Sequence, residues 1–310
     1  MDKIFLIGIL VGIISRGIML NTDRNQYPTK PNDLLNQFIL AFVASSLGAL
    51  LVPALIERSY TSITFLSLAA EQFRQVREHM RTSLQNMEDS QLVKRGDAFI
   101  EEIARTYEVR NYMCIISSFV TVGIFYLITR ELKIGENMSI AISTAIGILL
   151  SVVMKKLLRR RQLSEIADVN IVDISFVNNS IMKVGSLQGI TNVGLESDRQ
   201  RYLEKGIGIE IIPKNGSYEY AGAILDPGQR QAIIYNLYSR LGIYRENYEI
   251  AFYPLPRRNP ENESLVIAYI PIEKDVEKVL DAVNSAPVLS TSKGRNLSLA
   301  KYKINKKGTV

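Results

Sequence analysis

Four aspartates lie at or near the apolar segments, where paired carboxylates could carry out acid–base catalysis: Asp23, Asp33, Asp168 and Asp173. The candidates for catalysis are Asp23, Asp168 and Asp173. An aspartic mechanism needs two carboxylates about 3 Å apart that share one proton, because their pKa values then separate and one acts as the base while the other acts as the acid. The sequence contains no D-[ST]-G motif and no GxGD motif inside an apolar segment. Simpler interpretations therefore stay open, with Asp23 as a loop residue and Asp168 as a capping residue at the start of a strand.

The other residue types argue against most further catalytic classes. The chain has a single histidine, His79, and a single cysteine, Cys114, and it has no HExxH motif. One histidine cannot supply the usual nitrogen ligands of a catalytic zinc site, and Cys114 lies in an apolar segment where a thiolate is disfavoured. The glycines of GIG and GSLQG do not open a helix after a strand, so they are interpreted as turn or strand glycines rather than as phosphate loops. The sequence therefore predicts no metal and no cofactor.

Apolar segments of membrane-spanning length occupy the first half of the chain. They are Ile4–Leu20, Phe38–Ile56, Tyr112–Ile128 and Met138–Met154. A helix needs roughly 20 mainly apolar residues, with about 17 as the lower limit, to cross a hydrocarbon core of ~30 Å. The first segment contains Arg16, whose side chain is predicted to reach toward the membrane interface. A cleaved signal peptide is the alternative for this segment, although no A-x-A-like site follows it. The fold class predicted is an α-helical membrane anchor of four transmembrane helices, over residues 1–56 and 112–161, followed by a soluble α+β domain.

Lys and Arg are concentrated between the second and third apolar segments and directly after the fourth. Positive residues are retained on the cytoplasmic side of a membrane. We therefore predict a location in the cell membrane with cytoplasmic N- and C-termini and a cytoplasmic helical loop over residues 57–111. This topology places Asp23 outside and Asp168 inside.

The basic cluster after the fourth segment is predicted to contact anionic lipid. Its members are Lys155, Lys156, Arg159, Arg160 and Arg161. No nucleic-acid partner is predicted, because no base-stacking aromatic pattern accompanies the positive charge.

The loop of residues 57–111 has a helical pattern. Apolar residues recur at spacings of three and four from Leu66 to Met87, which predicts an amphipathic helix. Such a helix can lie on a membrane surface, pair with a partner helix, or pack on the rest of the protein. A second helix is predicted from about Asp97 to Asn111, leading directly into the third apolar segment.

Residues 162–290 have the composition of one soluble α+β domain, and residues 291–310 form a basic tail. The segments IADVNIVDISFVN, SIMKVGSLQGITNVGL and GIGIEIIP are predicted as strands with turns between them. Asp226 fits an N-cap and Gly242 a C-terminal stop, which together predict a helix. A strand pair is predicted from Tyr248–Tyr253 and Ser264–Ile270, followed by a helix from about Glu273 to Asn284.

Several segments together resemble the YIEGIA family, membrane proteins of endospore-forming bacteria that are named after a sequence motif. The segments are MLNTDRNQYPTKP, TFLSLAAEQFRQVREHM, LVKRGDAFIEEIARTYEVRNY, IADV followed by ITNVGL, and DPGQRQAI. The motif itself is FIEEIA here, with Phe99 in place of tyrosine and Glu102 in place of glycine. Because Glu102 cannot serve a position that requires glycine, the motif is interpreted as a structural feature of helix packing.

The resemblance implies a role in sporulation and a location in a membrane of the sporulating cell. Two hypotheses follow for the activity. In the first, the protein is a membrane-anchored regulator that binds other sporulation proteins on the cytoplasmic side, alone or as a homo-oligomer. In the second, it is a membrane-bound aspartic-type protease that degrades specific sporulation proteins. Its acid and base are then Asp23 with Asp168, or Asp168 with Asp173.

Overall fold

The computed structural model describes residues 2–26, 31–132, 135–246 and 248–292. The chain divides into two compact units, and we call them the helical unit and the C-terminal unit. The helical unit consists of Met1–Leu84 and Ile103–Arg159, and the C-terminal unit of Gln85–Glu102 and Arg160–Val310. The segment predicted as one helical loop, residues 57–111, is shared between these units.

The helical unit is built from long helices. Its helices in chain order are α1 (Asp2–Gln26), α2 (Pro31–Ile56), α3 (Tyr60–Glu88), α4 (Asp97–Leu127) and α5 (Glu136–Leu158), with a π-helical turn at Ile128–Leu132 before α5. Among the described residues, four segments are long and apolar enough to cross a membrane: Lys3–Leu20, Leu34–Ile56, Asp97–Glu131 and Glu136–Leu158. These segments confirm that the predicted apolar stretches are helices of membrane-spanning length.

Helix α4 joins the predicted second loop helix and the third apolar segment without a break. Its 31 residues make it about 46 Å long at 1.5 Å per residue, well beyond the ~30 Å of a hydrocarbon core. The residues of α4 up to Glu102 belong to the C-terminal unit, and those from Ile103 onward belong to the helical unit. One helix is therefore part of both units.

Small residues line the buried face of α5, while many of its large apolar residues face outward. Helix α5 buries Ser139, Ser143, Gly147 and Ser151, which recur every four residues along one face. Leu149 and its large neighbours on other faces of α5 are exposed. Small interior residues under an apolar exterior are typical of helices that pack together inside a bilayer.

Helices α2 and α4 run in the same direction. Near the start of both helices, Gln37 Nε2 donates a hydrogen bond of 3.2 Å to the hydroxyl of Tyr107. Farther along both helices, Val52 lies against Gly123. Two successive membrane crossings joined by a loop on one side must run in opposite directions. The parallel packing therefore contradicts the simple alternation that the predicted loop 57–111 requires.

Helix α3 runs back along α2 and α4. Its Arg77 forms a salt bridge of 3.2 Å with Glu108 of α4. Its Phe73 packs with Ala41 of α2 and Cys114 of α4 in one buried cluster. Higher residue numbers on α3 thus lie beside lower numbers on α2 and α4, so α3 is antiparallel to both.

Helices α1 and α5 are antiparallel to α4 as well. In α1, Gly8 faces Val122 of α4, and farther along α1 Ser15 accepts a hydrogen bond of 3.3 Å from Ser117. In α5, Ser151 shares a hydrogen bond of 3.0 Å with the same Ser117, and the earlier Gly147 lies against the later Thr121. Helices α1, α3 and α5 consequently point one way, and α2 and α4 point the other way.

The helical unit therefore has two distinct ends. One end, where Ile4, Val52 and Phe125 meet in a buried cluster, is called the Lys3 end. The opposite end, where Arg16 lies against Tyr107, is called the Arg16 end. The chain begins at the Lys3 end, and α5 ends at the Arg16 end.

Helices α2 and α4 approach each other most closely at Gly48 among the glycines of their interface. A Cβ added to Gly48 would collide with the backbone carbonyl oxygen of Ile115, and backbone atoms cannot rotate aside. We expect Gly48→Ala to lower the unfolding free energy of the detergent-solubilised protein by about 1–3 kcal/mol, the usual cost of overpacking. Gly123→Ala is the matched control on the same interface, because its Cβ would meet Val52 at an ordinary 3.9 Å. Equal unfolding free energies of the two variants would contradict the close contact of α2 with α4 at Gly48.

The C-terminal unit contains two main antiparallel sheets, which agrees with the predicted α+β class. One sheet has the strand order β1–β5–β9–β8 and the other the order β2–β3–β4, and a small third sheet pairs β6 with β7. The strands are β1 (Ala167–Val172), β2 (Ile174–Val177), β3 (Ile181–Val184), β4 (Leu187–Asn192), β5 (Ile207–Pro213), β6 (Arg245–Glu246), β7 (Glu249–Ile250), β8 (Arg257–Arg258) and β9 (Leu265–Tyr269). The helices are α6 (Leu163–Ile166), α7 (Glu196–Lys205), α8 (Tyr218–Leu225), α9 (Pro227–Leu241) and α10 (Val276–Asn284).

The predicted helix caps are confirmed. The Asp226 carboxylate accepts hydrogen bonds from the backbone N–H groups of Gly228 and Gln229 at the start of α9. Gly242 ends α9 at a φ of 65°, a left-handed conformation that favours glycine. The predicted helix near Glu273–Asn284 is α10, which begins later because Asp275 is its N-cap.

The predicted pairing of Tyr248–Tyr253 with Ser264–Ile270 is wrong. Strand β9 lies between β5 and β8, and all of its residues are buried. Its run LVIAY is apolar throughout, as expected for a strand that is covered on both faces and has a neighbour on each side. The earlier segment contributes only β7, which pairs with β6.

Candidate functional site

Asp168 lies inside strand β1, where it is opposite Ile212 of β5, and it does not cap the start of the strand as predicted. Its side chain is 64% exposed, and one carboxylate oxygen is 3.7 Å from Lys214 Nζ. Exposed ion pairs of this kind contribute about 0–1 kcal/mol. The geometry fits a surface residue held by a weak salt bridge.

Asp173 directly follows β1, and its backbone carbonyl accepts a hydrogen bond of 3.0 Å from Gly185 N. The extended chain from Asp168 to Asp173 spans about 16 Å at ~3.3 Å per residue, far more than the ~3 Å of a carboxylate dyad. The side chain of Asp23 lies outside the described part of the structure. No pair of the predicted aspartates is therefore brought together among the described side chains, and catalysis by them stays a prediction.

The basic cluster after α5 is divided by the structure. Arg160 forms an ion pair with Glu102 inside the C-terminal unit, and its lipid contact stays a prediction. Lys156, Arg159 and Arg161 are exposed, and their lipid contact, like that of Lys155, stays a prediction. The basic tail lies outside the described residues except for its first two positions.

Arg16 is buried within the helical unit, which corrects the prediction that it reaches the membrane interface. It is 2% exposed, and its guanidinium carbon lies 5.7 Å from the ring centroid of Tyr107. Within the described residues, its Nε and Nη1 atoms have no hydrogen-bond partner, and no salt bridge involves it. A buried guanidinium without a counter-charge is costly, because nothing offsets its lost hydration.

The surroundings of Arg16 come from one face of α4. Tyr107, Arg110, Asn111 and Cys114 have the i, i+3, i+4, i+7 spacing of a single helical face, and we call them together with Arg16 the Arg16 cluster. Arg110 and Asn111 are also buried, and the positive charges of Arg110 and Arg16 repel each other. Asn111 Nδ2 has no hydrogen-bond partner among the described residues. The unsatisfied nitrogen atoms of the cluster are thus all hydrogen-bond donors.

A cavity of about 510 Å³ lies between α2, α3 and α4 in the helical unit. Gln37, His79 and Tyr107 give it a polar wall, and Leu40 and Met80 contribute apolar surface. Its volume is in the range of small-molecule pockets. Since Tyr107 lines the cavity and also stacks on Arg16, the cavity adjoins the Arg16 cluster.

In the C-terminal unit, Glu102 is buried and bound from two sides. Its carboxylate forms an ion pair with Arg160, and its Oε2 accepts hydrogen bonds from the hydroxyl and N–H groups of Ser290, at 2.5 and 3.3 Å. These partners come from the segment after α5 and from the segment after α10. One carboxylate thereby holds together three distant parts of the chain.

The residues just before Glu102 pack on helix α9. Phe99 makes an edge-to-face contact with Tyr235, with ring centroids 5.8 Å apart. The Arg95 guanidinium lies 5.0 Å from the same tyrosine ring and forms a salt bridge of 3.4 Å with Glu88. Burial raises the pKa of the Tyr235 phenol, so the ring stays neutral beneath the arginine. The FIEEIA segment therefore supplies packing and ion pairs, in agreement with its interpretation as a structural motif.

The sequence model of the YIEGIA protein family matches residues 4–299, which include both units. The chain belongs to the YIEGIA family. A relative from Bacillus subtilis (strain 168), the "Uncharacterized protein YphB", is 30% identical over 285 residues, which cover 92% of this chain and 91% of YphB. No solved structure matches the chain.

Neither the Arg16 cluster nor the ion pair of Glu102 is among the sites predicted for this YIEGIA-family protein. For the Arg16 cluster a signal existed, since an arginine inside an apolar segment is a functional-site hypothesis by default. For Glu102, the departure from the glycine of the YIEGIA motif was the visible signal. Nothing in the sequence indicated that Arg160 and Ser290 are its partners.

Proposed function

We propose that this YIEGIA-family protein is a multi-pass membrane protein that acts in sporulation as a membrane-anchored regulator of cytoplasmic proteins. The observation that carries the proposal is the continuous helix α4, which begins in the C-terminal unit and continues as a candidate span. It makes the C-terminal unit part of a membrane-anchored chain. The family assignment and the Bacillus relative support a role in endospore-forming bacteria.

The surroundings of Asp168 favour regulation by binding over proteolysis. Asp168 is exposed and paired with Lys214, whereas an aspartic dyad needs a second carboxylate close enough to share its proton. Asp173 cannot supply this second carboxylate, because about 16 Å of extended chain separates it from Asp168. Proteolysis would instead be revealed by a change in protein turnover with Asp168→Asn.

The distribution of positive charge supports a cytoplasmic Arg16 end. At the Lys3 end, basic residues are few within the described part of the chain: Lys3, Arg58 and Arg130. The Arg16 end is rich in arginine and lysine. Its basic residues are Arg74, Arg77, Arg81, Arg105, Arg110, Lys155, Lys156 and Arg159. By the positive-inside rule, the Arg16 end faces the cytoplasm, and the chain enters the C-terminal unit from that end.

The helix directions support five crossings in this orientation, with α3 as the additional one. Helix α2 ends at the Lys3 end and α4 begins at the Arg16 end, so the chain between them has to return along the bundle. Helix α3 makes this return, and its 29 residues extend about 43 Å. The N-terminus then lies outside the cytoplasm, which replaces the predicted cytoplasmic N-terminus, while the C-terminal unit stays cytoplasmic.

The chemistry of α3 suits this path. Its first part, Tyr60–Ala70, carries no charge. The hydroxyls of Thr64 and Ser67 donate hydrogen bonds of 2.9 Å to backbone carbonyls one turn earlier, which satisfies them where no water is present. The charged residues begin at Glu71, toward the Arg16 end. Hydropathy alone overlooks such a helix because its hydroxyl groups and later charges lower the average.

A comparison of protein turnover tests the regulatory role. Sporulating cells with the wild-type protein, cells without it, and cells with Asp168→Asn at equal abundance are pulse-labelled and chased. We expect sporulation to fail only in the deletion and the half-lives of other proteins to be unchanged by Asp168→Asn, because the surface salt bridge contributes little. Asp281→Asn, which changes another exposed carboxylate in a salt bridge of the same unit, is the matched control. If a small set of proteins becomes long-lived both in the deletion and with Asp168→Asn, the protein is a protease and the regulatory proposal fails.

A further inference from the structure

We propose that the Arg16 cluster binds one phosphate group of an anionic ligand. Within the described residues, Arg16 is buried with unsatisfied Nε and Nη1 donors, and the neighbouring Asn111 has an unsatisfied Nδ2 donor. Arg110 adds a second buried positive charge. A site with excess donors and positive charge calls for an anion that can accept several hydrogen bonds.

Among the described side chains, the groups nearest to Arg16 do not balance its charge. The contact with Tyr107 is to the face of the ring, and Cys114 is a buried thiol. The carboxylate nearest along this part of α4, that of Glu108, is engaged by Arg77 at 3.2 Å and by the hydroxyl of Tyr112 at 3.3 Å. The compensating negative charge is therefore assigned to a bound group.

Phosphate fits the donors better than other common anions. Guanidinium groups present a planar fork of donors that binds phosphate oxygens in pairs. A phosphate group offers enough acceptor oxygens for the Arg16 guanidinium and the Asn111 amide at once. The adjoining cavity of about 510 Å³ has apolar walls at Leu40 and Met80, which suit an acyl chain. Both a phospholipid headgroup and free phosphate carry this chemistry, and the experiment separates them.

The test uses the full-length protein, purified in detergent and stripped of lipid. Its thermal-unfolding midpoint is measured with inorganic phosphate, with short-chain phosphatidylglycerol, and with diacylglycerol, which lacks the phosphate. We expect phosphatidylglycerol to raise the midpoint of the wild type by several degrees, through preferential binding to the folded state, and diacylglycerol to have no effect. If inorganic phosphate alone gives the full shift, the phosphate site is supported and the ligand is the free anion.

Two variants locate the effect. Arg16→Gln is expected to abolish the shift, whereas Arg74→Gln, which removes an equal charge from a largely exposed arginine of α3, retains it. Without ligand, Arg16→Gln is expected to unfold at the same temperature as the wild type or a higher one, since it removes an uncompensated buried charge. If Arg16 only stabilised the fold, Arg16→Gln would unfold at a lower temperature than the wild type.

The proposal is overturned if neither phosphate nor phosphatidylglycerol shifts the wild type, or if Arg16→Gln responds equally. Should Arg16→Gln fail to fold, Asn111→Leu and native mass spectrometry of the wild type replace it. Wild-type protein that retains no phosphate-containing ligand after mild extraction would also overturn the proposal. The site belongs to the helical unit and does not depend on the regulatory role. Ligand binding tests the phosphate site, whereas protein turnover tests the regulatory role, so either proposal can fail without the other.

Discussion

A cysteine at position 57 reacts with a membrane-impermeant maleimide in intact cells, whereas a cysteine at position 90 reacts only after the cells are permeabilised. This is the expected result for Glu57→Cys and Ser90→Cys if α3 crosses the membrane. Both positions are exposed, and both fall in the segment that the sequence predicted as one cytoplasmic loop. The expected contrast is all or none, because the two residues lie on opposite sides of the bilayer.

The labelling experiment has a low background and distinct outcomes. The chain's own cysteine, Cys114, is buried and can be replaced by alanine beforehand. Lys3→Cys is expected to behave like Glu57→Cys, since both lie at the Lys3 end. Protection of positions 3, 57 and 90 alike in intact cells would restore four crossings with a cytoplasmic N-terminus. Labelling of position 90 alone would keep five crossings but reverse their orientation.

The second large effect is expected from Glu102→Ala. This change leaves Arg160 and Ser290 without their shared acceptor inside the C-terminal unit. Glu102 is 1% exposed, and removing one partner of a buried ion pair typically costs about 3–5 kcal/mol. We expect a loss of this size in the unfolding free energy, measured by urea-dependent proteolysis of the C-terminal unit in the full-length protein.

Two control variants distinguish the contribution of the ion pair to stability from that of side-chain packing on α4. Glu101→Ala changes the neighbouring, less buried carboxylate of the same helix and is expected to cost less than about 1 kcal/mol. The double variant Glu102→Met with Arg160→Met is expected to recover most of the loss, because apolar replacement of a whole buried pair is often neutral. A double variant as unstable as Glu102→Ala would show that the ion pair is not the source of the effect.

Local features of the fold could be predicted from the sequence because the residues that specify them are neighbours in the chain. The α9 helix is fixed by Asp226 and Gly242 at its ends, and each type of residue acts on its own turn of backbone. The candidate spans follow from continuous apolar runs for the same reason. The helix that leads into the third span was predicted correctly from its own periodicity.

Features that depend on distant partners could not be predicted in this way. The hydroxyl-rich first half of α3 gives no hydropathy signal, and its direction is set by contacts such as Arg77 with Glu108. The partners of Glu102 lie much farther along the chain, at Arg160 and Ser290. The pairing of β9 depends on which strands reach its two edges, and the apolar run itself does not specify them. The burial of Arg16 likewise depends on α4, since a lone segment leaves an arginine free to extend.

The C-terminal unit is discontinuous in the chain, and this has a consequence for biosynthesis. Residues 85–102 leave the ribosome long before α9, against which Phe99 packs. The intervening chain contains most of α4 and all of α5, so the unit can close only after both helices have been synthesised. Its folding is therefore a late event that depends on contacts between remote parts of the chain. The C-terminal unit consequently cannot reach its native fold before most of the chain has left the ribosome.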